Sequence, residues 1–332
     1  MEKKLQSLEN RLLEPIAEYE FDDLAIDIFR LQAQFNPLYQ KYLNLLNIDY
    51  SKINTIFDIP FLPIQFFKSY DLKTGNWQTQ KKYASSGTTG KTTSWHCVKD
   101  ELFCHKIAEI GFNFYYENTS NFAIFALLPS YLERNNSSLV SMAKYFIDRS
   151  EHPESGFFLH DYKRLQQQLT YNFSQNIPTL LLGVSFALMD FAEQYPIVFP
   201  PNSVVMETGG MKGKRKELTK NELHSALNQG FGTPVIHAEY GMTELFSQAY
   251  SKGNGLFEPC PTLKILIRDA TDPFEIRATK KSGGINVIDL ANLYTCSFIA
   301  TDDLGKQHAN STFEVLGRLD DSDVRGCNLM VE

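Results

Sequence analysis

Apolar residues recur at helical spacing through positions 5–46, as in Leu24, Ile28 and Leu31 and then Leu38, Tyr42 and Leu45. This spacing predicts two or three helices, broken near Pro15 and Pro37 because proline lacks an amide donor and fixes φ. Beyond residue 120 the pattern changes to short apolar runs ended by Gly, Pro or Asp, at 121–129, 178–184, 202–210, 233–241, 262–269, 284–290 and 294–303. Such runs read as buried strands. Helical segments separate the first four: "SSLVSMAKYFIDR", "SFALMDFAEQY" and "TKNELHSALNQGF". Ser137 and Ser138 are placed to cap the first of these, and Thr219 with Glu222 three residues on forms a capping box for the last. The alternation predicts an α/β fold, with a helix-covered parallel sheet in the middle of the chain and a more antiparallel portion after it.

Composition narrows the picture. A chain of 332 residues, 43% hydrophobic and 13% aromatic, buries a large core as one big domain or two smaller ones. A net charge of −7 provides no general basic field, and the short "KGKRK" at 212–216 is the one cluster of Lys and Arg, so nucleic acid is not expected as a partner. The amino-terminal stretch is charged and amphipathic with no apolar h-region, and no run is apolar for long enough to span a bilayer; the expected location is the cytoplasm. Five cysteines at 97, 104, 260, 296 and 327 are odd in number and lack paired metal-type spacing, which argues against a disulfide frame or a zinc site.

One stretch carries candidate chemistry. "YASSGTTGK", from Tyr83 to Lys91, lies between two ordered-looking segments and is dense in hydroxyls and glycines, as suits a loop that wraps a polyphosphate. It has neither the Walker spacing nor the Rossmann fingerprint, and taken alone it reads equally as a flexible turn. Four further stretches follow it in order: "METGGMKG" at 206–213, "HAEYGMTE" at 237–244, "FIATDDLG" at 298–305 and "FEVLGRLDD" at 313–321.

Together these five stretches resemble the acyl-adenylating enzymes, and most closely the LuxE-type acyl-protein synthetases, whose main domain is similar to phenylacetate-CoA ligase. The resemblance covers roughly residues 55 to 332. It implies attack of a carboxylate on the α-phosphorus of ATP, with Mg²⁺ as cofactor and pyrophosphate as leaving group. By this resemblance Ser85, Ser86, Gly87, Thr88, Thr89 and Gly90 would hold the β- and γ-phosphates, with Lys91 offering a charge one step away from the family's usual lysine. Thr208, Gly209 and Gly210 would border adenine, and Tyr240 and Gly241 would follow them there. Thr243 would contact the α-phosphate, and Glu244 would be the Mg²⁺ ligand, since that ion takes one or two carboxylates plus substrate phosphates. Asp303 aligns with the aspartate that accepts both ribose hydroxyls, although Asp302 replaces the family's glycine, and Arg318 matches an arginine that reaches ribose or phosphate. His237 is a candidate substrate contact, although a lone histidine beside a buried strand is more often a hydrogen-bonded core residue.

The family's small lysine-bearing domain is not expected, because the sequence stops 14 residues after Arg318. In its place "DDSDVRGCNLMVE" carries Cys327, which resembles the acyl-accepting cysteine of the LuxE type. The expected organisation is a helical segment over 1–50 packed on the main domain, an adenylate-forming α/β domain over 51–316, and a hinge remnant and tail over 317–332. The expected activity is ATP-dependent activation of a carboxylic acid, fatty or aryl with the fatty acid favoured, followed by transfer to Cys327. Alternatives are ligation to CoA or an acyl-acceptor protein without a covalent enzyme intermediate, and a non-catalytic acyl-nucleotide-binding partner.

Overall fold

The computed structural model describes residues 1–85, 93–129, 136–211, 214–216, 218–276 and 281–319. Helices α1 (Glu2–Leu12), α2 (Phe21–Phe35) and α3 (Pro37–Leu45) precede a two-residue strand β1 (Leu62–Pro63) and a short helix α4 (Phe66–Ser69). A hairpin of β2 (Lys81–Ala84) and β3 (Trp95–Val98) leads into α5 (Glu101–Tyr116). Next come β4 (Ala123–Leu127), α6 (Ser138–Arg149), β5 (Gly156–Phe157), α7 (Tyr162–Ser174), β6 (Thr179–Val184) and α8 (Ser185–Gln194). They are followed by β7 (Val204–Thr208), α9 (Lys220–Phe231), β8 (His237–Tyr240), β9 (Ala249–Ser251) and β10 (Glu258–Pro259). The described chain closes with β11 (Leu263–Arg268), β12 (Ser282–Asp289), β13 (Phe298–Gln307) and β14 (Phe313–Arg318). Among the described residues no helix is long and apolar enough to cross a membrane.

Two compact units emerge. One comprises Met1–Trp77 with the described residues from Pro261 on, the other Gln78–Cys260. The second is built on a seven-stranded sheet in the order β10-β9-β8-β7-β6-β4-β5. Strands β5, β4, β6, β7 and β8 run parallel, β9 is antiparallel to β8, and β10 is antiparallel to β9. The central parallel strands β4 and β6 are almost entirely apolar because helices cover them; Ile124, Phe125, Leu181 and Leu182 are all buried, as are Phe112 of α5, Phe146 of α6 and Phe191 of α8. Ser137 caps α6 by accepting the Val140 amide, and the Thr219–Glu222 box caps α9, which ends on Gly232 in the left-handed region.

The first unit has a sheet in the order β1-β13-β12-β11, with β14 on β13; β1 runs parallel to β13 and the remaining pairs are antiparallel. Its core includes an aromatic cluster in which Phe29 and Phe61 meet Phe298 edge-on while Tyr39 stacks on it. Gln32 is fully buried yet satisfied: its amide donates to the carbonyls of Asn292 and Leu293, and its oxygen accepts the Ser297 amide, which fixes the turn before β13.

Candidate active site

In open α/β sheets ligands bind outside the carboxyl ends of the parallel strands, and two of the sequence motifs end there. Thr208 closes β7, is buried, and donates from Oγ1 to the carboxylate of Glu239 on β8, its register partner. Gly209 leaves the strand at φ +69°, a conformation that glycine adopts without strain. Beside Gly210 an added Cβ would meet nothing within 4 Å. Tyr240 closes β8 at 8% exposure, with its ring edge-on to Phe257 at 5.9 Å. Gly241 passes directly over the Glu239 carboxylate, into which any side chain would collide.

Thr243 and Glu244 follow in the turn between β8 and β9, and Glu244 is buried at 6% exposure. The turn is tied to the Ser/Thr-rich stretch by a residue that no motif singled out. His96 of β3 is fully buried, lies flat on Phe246 (centroids 4.2 Å apart, 7° between planes), and holds its Nδ1 2.9 Å from the Thr243 carbonyl oxygen. Burial pushes its pKa down to about 4 despite that bond, so at neutral pH the ring is neutral. A carbonyl only accepts, so Nδ1 carries the proton.

The hairpin holding His96 also flanks the Ser/Thr-rich stretch in the sequence. Past the paired strands the Ser85 amide donates to the Ser94 carbonyl at 3.0 Å and the Ser94 amide donates to Ser85 Oγ at 2.9 Å. A hydroxyl that accepts keeps its own proton to donate, so Ser85 retains a donor. The Ala84 amide donates to the Asn136 carbonyl, which brings the segment before α6 against the same hairpin. Glu101 clamps it from below by accepting from Lys81, Tyr83 and Ser141. Burial alone would raise the Glu101 carboxyl, but those three donors hold it below its ordinary value. Ser86, Gly87, Thr88, Thr89, Gly90, Lys91 and Cys327 lie outside the described residues.

Of the other motif residues, His237 belongs to the same unit and Asp303 and Arg318 to the first. His237 opens β8 and so stands three residues from Tyr240, roughly 10 Å along a strand. Its Nδ1 is 2.9 Å from the Tyr116 hydroxyl, and burial, with help from Lys252, pushes its pKa down to about 4. In the first unit Asp303 of β13 is 9% exposed and faces Arg318 of β14, whose Nε lies 3.4 Å from its carboxylate; the Arg318 side chain is 77% exposed. The Asp302 that replaces glycine accepts from Gln65 through its side chain and from the Leu319 amide through its carbonyl.

Among the described residues no group of three or more His, Cys, Asp or Glu is arranged to hold a metal ion. A Mg²⁺ ion at Glu244 would be of the kind completed by phosphate oxygens. The donor set fits that role, since a buried carboxylate stands one residue from Thr243 at the end of the sheet.

No family model matches the chain, and no curated protein matches it. Solved structures do. ATP-bound MatB from Rhodopseudomonas palustris is similar over 71% of this chain and 47% of its own, at 15% identity and a TM-score of 0.52, so this chain spans about half the length of that protein. o-Succinylbenzoate-CoA synthetase (MenE) from Bacillus subtilis, bound to its product analogue OSB-NCoA, is similar over 73% of this chain and 49% of its own, at 16% identity and a TM-score of 0.52. 2-Hydroxyisobutyryl-CoA ligase, in complex with 2-HIB-AMP and CoA in the thioesterification state, is similar over 93% of this chain and 70% of its own, at 13% identity and a TM-score of 0.66. At such identities the likeness is one of fold, and the α/β architecture expected from the sequence is that of the adenylate-forming acyl- and aryl-CoA ligases.

Proposed function

We propose that this chain activates a carboxylic acid with ATP and passes the acyl group to a thiol. The observation that carries this reading is the His96 bond to Thr243, because it couples the hairpin flanking the hydroxyl-rich stretch to the turn bearing Glu244 within one compact unit. A carboxylate oxygen attacks the α-phosphorus, the bond to the bridging oxygen breaks, and pyrophosphate leaves. Ser85 to Lys91 bind the β- and γ-phosphates and Thr243 the α-phosphate, and Glu244 would hold Mg²⁺, which would supply positive charge against the leaving group. Thr208, Gly209, Gly210, Tyr240 and Gly241 line the adenine side, while Asp303, supported by Arg318, accepts the ribose hydroxyls. His237 keeps the role of a substrate contact in this reading only for an acid long enough to reach the far end of β8.

In the second step a thiolate attacks the acyl carbon, the bond to the AMP oxygen breaks, and AMP leaves with the electron pair. Four of the five cysteines, Cys97, Cys104, Cys260 and Cys296, are buried, and burial pushes the Cys296 thiol up to about 12. A buried thiol is a poor nucleophile, which supports Cys327 as the acceptor, and the LuxE-type resemblance is what favours a fatty acid as the substrate. CoA is the alternative acceptor, as the 2-hydroxyisobutyryl-CoA ligase complex contains it.

The test is incubation of the chain with ATP, Mg²⁺ and a panel of radiolabelled acids, followed by denaturing electrophoresis with and without hydroxylamine. Pyrophosphate released with one class of acid, and a hydroxylamine-sensitive label on the protein, are expected. Pyrophosphate release without label, and acyl-CoA formed when CoA is added, would favour the external thiol. No acid-dependent release across the panel would remove the adenylation reading.

A further inference from the structure

Beside Asp303 lies a buried arginine outside every motif. Arg268, the last residue of β11, is 8% exposed. Its Nη1 donates to the Ile285 carbonyl at 2.8 Å and to Asn286 Oδ1 at 2.9 Å, and its Nη2 donates to the Thr301 carbonyl at 2.6 Å. Space for the guanidinium is created by Gly284, where an added Cβ would stand 2.7 Å from Nη2 and 2.8 Å from Nε. The β12–β13 register shifts between Gly284 and Asn286, a bulge at the point where the guanidinium enters. Thr301 Oγ1 donates to the same Ile285 carbonyl at 2.9 Å and accepts the Asp303 amide at 3.1 Å. Both ends of the Thr301–Asp303 segment are thus held from one place. Burial lowers the pKa of Arg268, while Asp302 and Asp303 act in the opposite direction, which puts both carboxylates within its field.

A buried arginine is costly to desolvate, and an apolar side chain fills such a space at lower cost. The charge and the planar fork therefore call for a use. We propose that Arg268 is a positioning residue for nucleotide recognition: it fixes the backbone through Thr301 and sets its charge beside the Asp303 carboxylate, so that Asp303 is held in place to accept from the two ribose hydroxyls. The inference rests on the reading of Asp303 as the ribose ligand.

Calorimetric binding of ATP and of 2′,3′-dideoxy-ATP to the full chain separates the possibilities. The wild type should prefer ATP by about 10- to 100-fold, the range for hydrogen bonds to a charged group, and Asp303→Ala should prefer neither. Arg268→Lys keeps the charge and loses the fork. It should lose at least about fivefold of the preference while binding the dideoxy nucleotide within about twofold of wild type, because only the ribose contact is affected. A residue needed merely for folding would weaken both nucleotides equally. Full preference in a folded Arg268→Lys, or equal weakening of both ligands, overturns the proposal. Should that variant not fold, Asn286→Ala removes one anchor of the guanidinium and leaves its charge, and a preference reduced about threefold is expected; an unchanged preference overturns the proposal as well. If wild type and Asp303→Ala both bind the two nucleotides alike, the ribose reading itself fails and the inference falls with it.

Discussion

Glu244 is a carboxylate at 6% exposure in a turn, a place where its residue type is ordinarily solvated. Glu244→Gln retains the size and removes the charge that a hard cation requires. The folded variant should release pyrophosphate roughly 100-fold more slowly with ATP, Mg²⁺ and acid, the scale of losing one preorganised electrostatic contact. A coupled pyrophosphate assay measures it, and a wild-type rate in a folded variant would remove the metal role. His96 yields a pH prediction whose sign follows from burial. Its pKa is lowered to about 4 in the folded chain, against about 6.5 when unfolded. Above pH ~6.5 neither form binds the proton and the stability is complete. As the pH falls from there towards 4, only the unfolded chain takes the proton, so stability is lost across that window, and below it the loss stops. The shift corresponds to about 3 kcal/mol. His237, lowered to the same value, loses stability in the same window. Urea midpoints at pH 7.5 and 4.5 should therefore lie closer together in His96→Gln than in wild type; equal gaps would show that His96 does not remain neutral when folded. Nothing in "TTSWHCV" marks His96, because a single histidine in an alternating apolar strand carries no signal until its partner across the fold is known.

At the scale of elements, the runs read as strands at 121–129, 178–184, 202–210 and 233–241 contain β4, β6, β7 and β8, since a strand covered on both faces carries mostly apolar residues. Of the later runs, 262–269 contains β11, while β12 begins two residues before 284–290 and β13 runs four residues past 294–303. Helix α7 gave no comparable signal: of its 13 residues only Leu165, Leu169 and Asn172 are buried, which leaves the rest polar. The β2–β3 hairpin was also illegible, as its strands are four residues each and carry Lys81 and Lys82 among their few apolar positions. Nor could either partner reveal that Leu62 and Pro63 pair with Ile299 and Ala300, because such pairing depends on how the chain closes rather than on local composition. One helix contact supports a prediction. Gly230 of α9 meets α8 so closely that an added Cβ would stand 2.6 Å from Ala192 Cβ and 3.1 Å from its carbonyl oxygen. Gly230→Ala gains about 0.8–1 kcal/mol of helix propensity, yet it forces a helix backbone aside, and overpacking costs about 1–3 kcal/mol. The backbone contact leaves little room to adapt, so a net destabilisation of about 1 kcal/mol is expected in denaturant titration. A stabilised variant would show that the two helices part freely.

For the whole molecule, the open question is whether the two chemical steps use separable parts of the chain. The sheet ends, the Glu244 turn and the β2–β3 hairpin belong to the unit Gln78–Cys260, and Asp303 and Arg318 to the other. Every described cysteine is buried, so none offers an accessible thiol. If Cys327 receives the acyl group and takes no part in activation, Cys327→Ser should still form acyl-AMP and exchange pyrophosphate into ATP at close to the wild-type rate. It should carry no hydroxylamine-sensitive label. Serine keeps the size, but its hydroxyl has a far higher pKa and little nucleophilicity without an adjacent base, so an ester would form slowly if at all. Radiolabelled acid with denaturing electrophoresis reads the second step, and labelled pyrophosphate exchange reads the first. Wild-type labelling in Cys327→Ser would require one of the buried thiols to become exposed during turnover, and Cys296, whose pKa burial raises to about 12, would be the least able to respond. Loss of exchange in the same variant would show instead that Cys327 also contributes to building the activation site, and the two steps would then share one set of residues.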